Sequence, residues 1–139
     1  MAEVERRGWH LAKTVALPDV AEGISAALSE IGDSNAIDVA VTTGGTGIAP
    51  RDVTPEAVRA VSDREIPGIG ELMRSEGLKT THFAPLSRGG AYIRGRMLIL
   101  CLPGSVRGAV DSWNAVADLI PHIVDLLHGR TEHVPKPVS

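Results

Sequence analysis

Apolar residues along the chain recur with two periods. Val20, Ile24, Ala27, Leu28 and Ile31 fall at the three-and-four spacing of one helix face. Asp19 ahead of them and Glu22 three residues later make a capping-box pattern, and Gly32 ends the run. "TPEAVRAVSD" reads as a short helix with Thr54 as its cap and Pro55 at its first position. "PGIGELMRSEG" reads as another, closed by Gly77. "SVRGAVDSWNAVADLIPHIVDLLHGR" is a long helix that Pro121 kinks or splits. Residues 3–8 look like the tail of a helix stopped at Gly8. Strand-like runs lie between these segments: "WHLAKTVAL", ending near Leu17, and the buried "AIDVAVTT". "AYIRGRMLILCLP" is a strand pair around the Arg94–Gly95–Arg96 turn, with residues 97–102 its more buried member. Residues 80–90 are irregular, and "TEHVPKPVS" is a polar tail.

This order predicts an α/β domain with a largely parallel sheet over residues 1–130, followed by the tail at 131–139. Neither a repeat nor a dividing linker is visible. Ligands of such sheets bind beyond the carboxyl ends of the strands. Two loops, 42–52 and 103–107, occupy that kind of position. Composition refines the picture. Of 139 residues 43% are hydrophobic but only 3% aromatic, so the core is built from Val, Ile, Leu and Ala. A net charge of −3 with interspersed signs gives no basis for binding nucleic acid or an anionic membrane. One cysteine excludes an internal disulfide. No apolar run approaches the ~20 residues of a membrane-spanning helix. The polar, charged opening does not resemble a signal peptide, and the expected location is the cytoplasm.

Three features carry candidate chemistry. In "VTTGGTGIAPRDVTPEA", Gly44, Gly45 and Gly47 let backbone N–H groups approach a ligand closely, as an anion cradle does. Thr42, Thr43 and Thr46 add hydroxyls. The spacing fits neither a P-loop nor a dinucleotide fingerprint. No lysine is present, so the charge of a bound phosphate has to be met by a metal ion or by Arg51. A tight strand-end turn explains the same glycines without any ligand. Asp19 and Asp52 each follow a strand end at the proposed ligand edge and suit Mg²⁺, which takes one or two carboxylates plus substrate phosphates. As structural residues, Asp19 is a helix cap and Asp52 a turn former. In "LPGSVRG", Ser105 reads as the cap of the last helix, whose free N–H groups also suit a phosphate or a pterin oxygen. The five histidines lack metal-ligand spacing. Cys101 reads as an inert core residue, and Glu71 with Arg74 as a surface ion pair at i, i+3.

Taken together, "VTTGGTGIAPRDVTPEAVRAV", "DREIPGIGELMR", "LSRGGAYIRGRMLILCLPGS" and "VALPD" closely resemble the Mog/MoaB-type proteins of molybdenum-cofactor biosynthesis over roughly residues 8–128. The resemblance implies a molybdopterin-binding domain fold, three-layer α/β/α with a mostly parallel central sheet. It also implies adenylylation of molybdopterin from ATP with Mg²⁺ and release of pyrophosphate, in a homotrimer that works beside a molybdenum-insertion protein. Asp19 and Asp52 match the family's two functional aspartates, with the metal near Asp52. Gly44, Gly45, Thr46 and Gly47, with Thr43 beside them, match its molybdopterin loop. Pro103, Gly104 and Ser105 match its second pterin-side loop. Val106 stands where the family usually has Pro, and Cys101 where it often has Asn. The family places an apolar strand and a loop before its first helix, so the chain is expected to be an N-terminally incomplete form of the domain. Two other readings remain: a molybdopterin domain of the molybdenum-insertion or competence-damage type, which usually shows GGxSxG, and a non-catalytic molybdopterin-binding protein or trimer partner.

Overall fold

Every residue from Met97 to Leu102 is buried, and the rest of the chain assembles around this strand. A computed structural model describes residues 2–130; the polar tail expected at 131–139 lies outside the described residues. In chain order the elements are α1 (Ala2–Arg6), α2 (Ala21–Asp33), β1 (Val39–Thr43), α3 (Thr54–Ala60) and β2 (Arg64–Ile66). They continue with α4 (Pro67–Gly77), β3 (Gly90–Arg94), β4 (Met97–Leu102), α5 (Val106–Val116) and α6 (Ile120–Leu127). The four strands form one sheet in the order β1-β4-β3-β2.

Side chains alternate across β4 because a strand has period two. Leu98, Leu100 and Leu102 enter a core with Ile69 and Met73 of α4, Trp113 and Val116 of α5, and Ile120 of α6. Met97, Ile99 and Cys101 enter a second core with Ile24 and Leu28 of α2, Ala57 and Val58 of α3, and Tyr92. The sheet is thus covered by helices on both faces, as the expected α/β/α layering requires.

The sheet is mixed, which corrects the expectation of a mostly parallel one. β1 runs parallel to β4, but β3 is antiparallel to both β4 and β2. The cause is local. The Arg94–Gly95–Arg96 turn joins β3 directly to β4, and two strands joined by so short a loop can only run antiparallel. β2 has only three residues, too few to produce a periodic signal, and the sequence pattern does not predict it. The strand expected over 9–17 does not form. Trp9 instead packs edge-on against Trp113 at 5.9 Å between ring centroids, and residues 12–20 are exposed with no ladder beside them.

Two caps also differ from expectation. α2 is capped by Val20 without a side-chain bond, so Asp19 lies one residue outside the cap. Thr54 is the first residue of α3, with Val53 before it. At the other end of the chain, the last helix splits. A 3-10 turn at Ala117–Leu119 separates α5 from α6, and Pro121 sits in the first turn of α6, where its missing N–H costs nothing. No helix among the described residues is long and apolar enough to cross a membrane.

Leu100 is 1% exposed and belongs to the larger core at the centre of the sheet. Leu100→Ala is expected to lower the unfolding free energy by about 2–5 kcal/mol, read from urea melts; a loss below ~1 kcal/mol would show that this core is not the one supporting the sheet.

Candidate functional site

Parallel pairing carries β1 and β4 to the same edge of the sheet, with Thr43 opposite Leu102 as the last pair. The glycine loop leaves one strand and Pro103–Ser105 leaves the other. The Gly44 N–H donates to Leu102 O at 3.0 Å, which holds the two exits together. The contact continues from glycine to glycine. A Cβ on Gly104 would sit 3.2 Å from the Gly44 Cα, a tight fit, while Gly44 itself has φ +91°, a left-handed backbone that favours glycine. Gly45 has φ +69°, and a Cβ on it would overlap the Thr54 hydroxyl. Both constraints explain why glycines occupy these positions.

The carbonyls of Gly45, Thr46 and Gly47 are tied away from the concave side. Gly45 O accepts from Thr54 N at 3.1 Å, and Thr46 O from Arg88 N at 2.7 Å. The Arg88 guanidinium donates from Nε to Gly47 O at 2.9 Å and from Nη2 to Asp52 O at 2.7 Å. A trans peptide points its N–H opposite to its C=O, and the described residues contain no cis bond. Tying the carbonyls of Gly45, Thr46 and Gly47 therefore aims the N–H groups of Thr46, Gly47 and Ile48 the other way. Those three and the Gly45 N–H have no hydrogen-bond partner among the described residues. Consecutive unpaired N–H groups of this kind form an anion-binding concavity.

Asp52 closes the loop. Its Oδ2 accepts from Ala49 N at 2.9 Å while its own N–H donates to Ala49 O, also at 2.9 Å. The carboxylate faces Gly47, where an added Cβ would lie 2.7 Å from Oδ2. Oδ1 makes no bond among the described residues. Ser105 Oγ accepts from Gly108 N at 3.0 Å and caps α5, as its position after a strand suggests, and the hydroxyl proton remains free to donate. Asp19 is exposed and makes no hydrogen bond or ion pair among the described residues. α2 starts just after it, and Ser25 Oγ near its start donates to Ala57 O of α3 at 2.7 Å.

Of the residues singled out from sequence, Gly44, Gly45, Thr46, Gly47, Asp52, Pro103, Gly104 and Ser105 lie on these two adjoining loops, and Thr43 ends β1 beside them. Asp19 stands apart on the loop before α2. Arg51 is exposed and contacts none of them. Among the described residues no three His, Cys, Asp or Glu side chains gather as a metal site. A Mg²⁺ ion still fits, because it needs few protein ligands when substrate phosphates supply the rest, and Asp52 Oδ1 is available. Cys101 is fully buried, and burial pushes its thiol up to about 11, which removes it as a nucleophile.

Arg88 is not visible in the sequence as a site residue. Its partners lie at positions 46, 47, 52 and 56, and no local pattern encodes a pairing across that distance. Its third nitrogen, Nη1, pairs with the Glu56 carboxylate. That hydrogen bond holds Glu56 below its ordinary carboxylate range. Ser87, next to it, places Oγ 3.4 Å from the buried Thr46 hydroxyl.

Comparison with known proteins gives the family and the fold. Residues 1–122 match the family described as "Probable molybdopterin binding domain". A relative named molybdopterin adenylyltransferase from Helicobacter pylori is 45% identical over 107 residues, which is 77% of this chain and 61% of that protein. The chain thus spans about three fifths of the length of this relative. The solved structure of the molybdopterin biosynthesis enzyme MoaB from Thermus thermophilus is 51% identical with a TM-score of 0.75, covering 81% of this chain and 70% of that one. The molybdopterin biosynthesis Mog protein from Mycobacterium ulcerans is 36% identical with a TM-score of 0.86, covering 92% and 83%.

Removing the Arg88 side chain in Arg88→Met should release three carbonyl and carboxylate partners at once. The Glu56 carboxyl is expected to titrate at higher pH than in the parent, followed by carbon-detected NMR. The melting temperature is expected to fall by about 5–10 °C, corresponding to ~2 kcal/mol. An unchanged Glu56 titration would mean that the pair does not persist in solution.

Proposed function

The chain belongs to the molybdopterin binding domain family, and on that premise we propose that it transfers the adenylyl group of ATP to the terminal phosphate of molybdopterin, releasing pyrophosphate. The observation that carries this reading is the row of unpaired N–H groups from Gly45 to Ile48, facing a space that Asp52 borders. Such a row recognises phosphate oxygens without a lysine.

In this reading the glycine loop binds and orients the molybdopterin phosphate. The loop at Pro103–Ser105 lies against the same surface, and the Ser105 hydroxyl is free to donate to the pterin side. A phosphate oxygen of molybdopterin forms a bond to the α-phosphorus of ATP, and the bond from that phosphorus to the bridging oxygen of the departing pyrophosphate breaks. A phosphate monoester is already anionic at neutral pH, so no His or Cys base is required. The task left to the protein is to position two polyanions and offset their repulsion. Asp52, with Oδ1 free, would hold Mg²⁺, which when bound with ATP supplies charge neutralisation at the phosphates. Asp19, exposed and unpaired before α2, is assigned to the nucleotide side of the same edge. The chemistry suits the cytoplasm, where ATP is supplied, and the product suits hand-over to a molybdenum-insertion protein.

Self-association as a homotrimer is part of the proposal. Leu78, Phe83 and Leu86 are exposed within one short stretch, Phe83 at 73%, and Val106 is exposed at 82% beside the Pro103–Ser105 loop. Exposed apolar groups gathered in this way mark contact surfaces.

Asp52→Asn keeps the shape of the loop and removes the negative charge. It is expected to lower single-turnover adenylyl transfer at saturating Mg-ATP by at least about a hundredfold, while molybdopterin binding stays within about threefold of the parent. A variant that transfers within about threefold of the parent rate would remove Asp52 from the reaction. If the parent chain binds molybdopterin and never transfers, it is a pterin-binding protein instead. Sedimentation equilibrium at micromolar concentration is expected to give three times the 14.6 kDa chain mass; a monomer there would overturn the trimer.

A further inference from the structure

A second concentration of charge lies at a cavity that Arg88 also borders. Between α3, β2 and residues 85–89 is an open cavity of about 290 Å³ whose walls carry the guanidinium groups of Arg59, Arg74 and Arg88, the carboxylate of Glu65, and Ser87. Three guanidiniums meet here in a chain whose net charge is −3.

Arg74 is the least compensated of the three. Its spacing from Glu71 permits an ion pair, but the side chain turns inward. Nη1 donates to Gly89 O at 2.8 Å and to Ser87 O at 3.2 Å. Carbonyls orient a guanidinium without neutralising it. No carboxylate pairs with Arg74 among the described residues. Arg59 is held loosely, with Nη2 3.7 Å from Glu65 and the guanidinium 5.9 Å from the centre of the Tyr92 ring. Arg88 pairs with Glu56, which lies outside the lining of the cavity. Counting both Glu56 and Glu65, the cations still outnumber the anions.

We propose that this cavity is a second anion site, separate from the glycine-loop cradle, and that it takes a phosphoryl group. Three guanidiniums set against the carboxylates of Glu65 and Glu56 leave an excess of positive charge at the cavity, which attracts an anion. A planar carboxylate is satisfied by the fork of a single arginine. Donors converging from α3, α4 and the 87–89 loop suit a tetrahedral oxyanion. The site needs neither a metal nor the transferase reading, because none of its donors belongs to the Asp52 carboxylate or to the free N–H row. Arg88 and Ser87 link the two, Arg88 through the loop carbonyls it holds and Ser87 through its hydroxyl 3.4 Å from that of Thr46.

The test uses inorganic phosphate with the parent protein, without Mg²⁺ or nucleotide, at constant ionic strength set with chloride. Calorimetric titration and thermal melts are the readouts. Phosphate is expected to bind and to raise the melting temperature where chloride does not. Arg59→Gln, at an exposed side chain whose loss leaves the core intact, should weaken phosphate about tenfold, the scale of one charge-assisted hydrogen bond. Arg74→Gln should weaken it further, and Asp52→Asn should leave it unchanged. Phosphate binding that is indifferent to Arg59→Gln would place the anion elsewhere and overturn the proposal. No binding above chloride would do the same, and acetate binding more tightly than phosphate would overturn the phosphoryl assignment.

Discussion

The parallel ladder between β1 and β4 fixes everything at the ligand edge of this protein. Its last pair, Thr43 with Leu102, and the bond from Gly44 N to Leu102 O deliver two loops to one point. Were the strands antiparallel, the loops would leave from opposite ends of the sheet and no shared surface would exist. Parallel strands of this kind need cover on both faces, and β4 has it, with three side chains in each core. Burial of one six-residue strand is therefore the physical condition for the close approach of Gly44 to Gly104.

Arg88 converts that approach into a defined surface. A glycine-rich loop is entropically costly to order and needs bracing from outside. Arg88 and the start of α3 supply it. The Arg88 backbone and side chain together take the carbonyls of Thr46, Gly47 and Asp52, and Thr54 N takes that of Gly45. Because each peptide is planar and trans, fixing these carbonyls outward also fixes the direction of the N–H groups. The loop's capacity to receive an anion is set by hydrogen bonds on the face the anion does not touch.

The parts of this arrangement carried by short stretches of sequence are legible there. Gly44–Gly47, the Gly95 hairpin, the Ser105 cap and the burial of residues 97–102 each have a local signature, and each has a counterpart in the structure. What the sequence pattern misplaces depends on partners far along the chain. Residues 9–17 have a strand's composition, but no strand lies alongside to receive their backbone groups. β2 is recognisable only through its pairing with β3. Glu71 and Arg74 have the spacing of an ion pair, yet the carbonyls of Ser87 and Gly89 win the guanidinium, since holding it against two fixed acceptors outweighs an exposed pair worth at most about 1 kcal/mol. Arg88 reads as part of an irregular segment for the same reason.

The absence of a lysine from the glycine loop follows from this division of tasks. A lysine there would add a mobile cation to the concave side, where the N–H row already supplies donors at fixed positions. The arginines stand behind the loop instead. From there Arg88 places positive charge close to the loop while its nitrogens are held by Gly47, Asp52 and Glu56. The concave side is left to the backbone and to the single carboxylate of Asp52. A surface built this way favours a phosphate strongly only when a cation accompanies it.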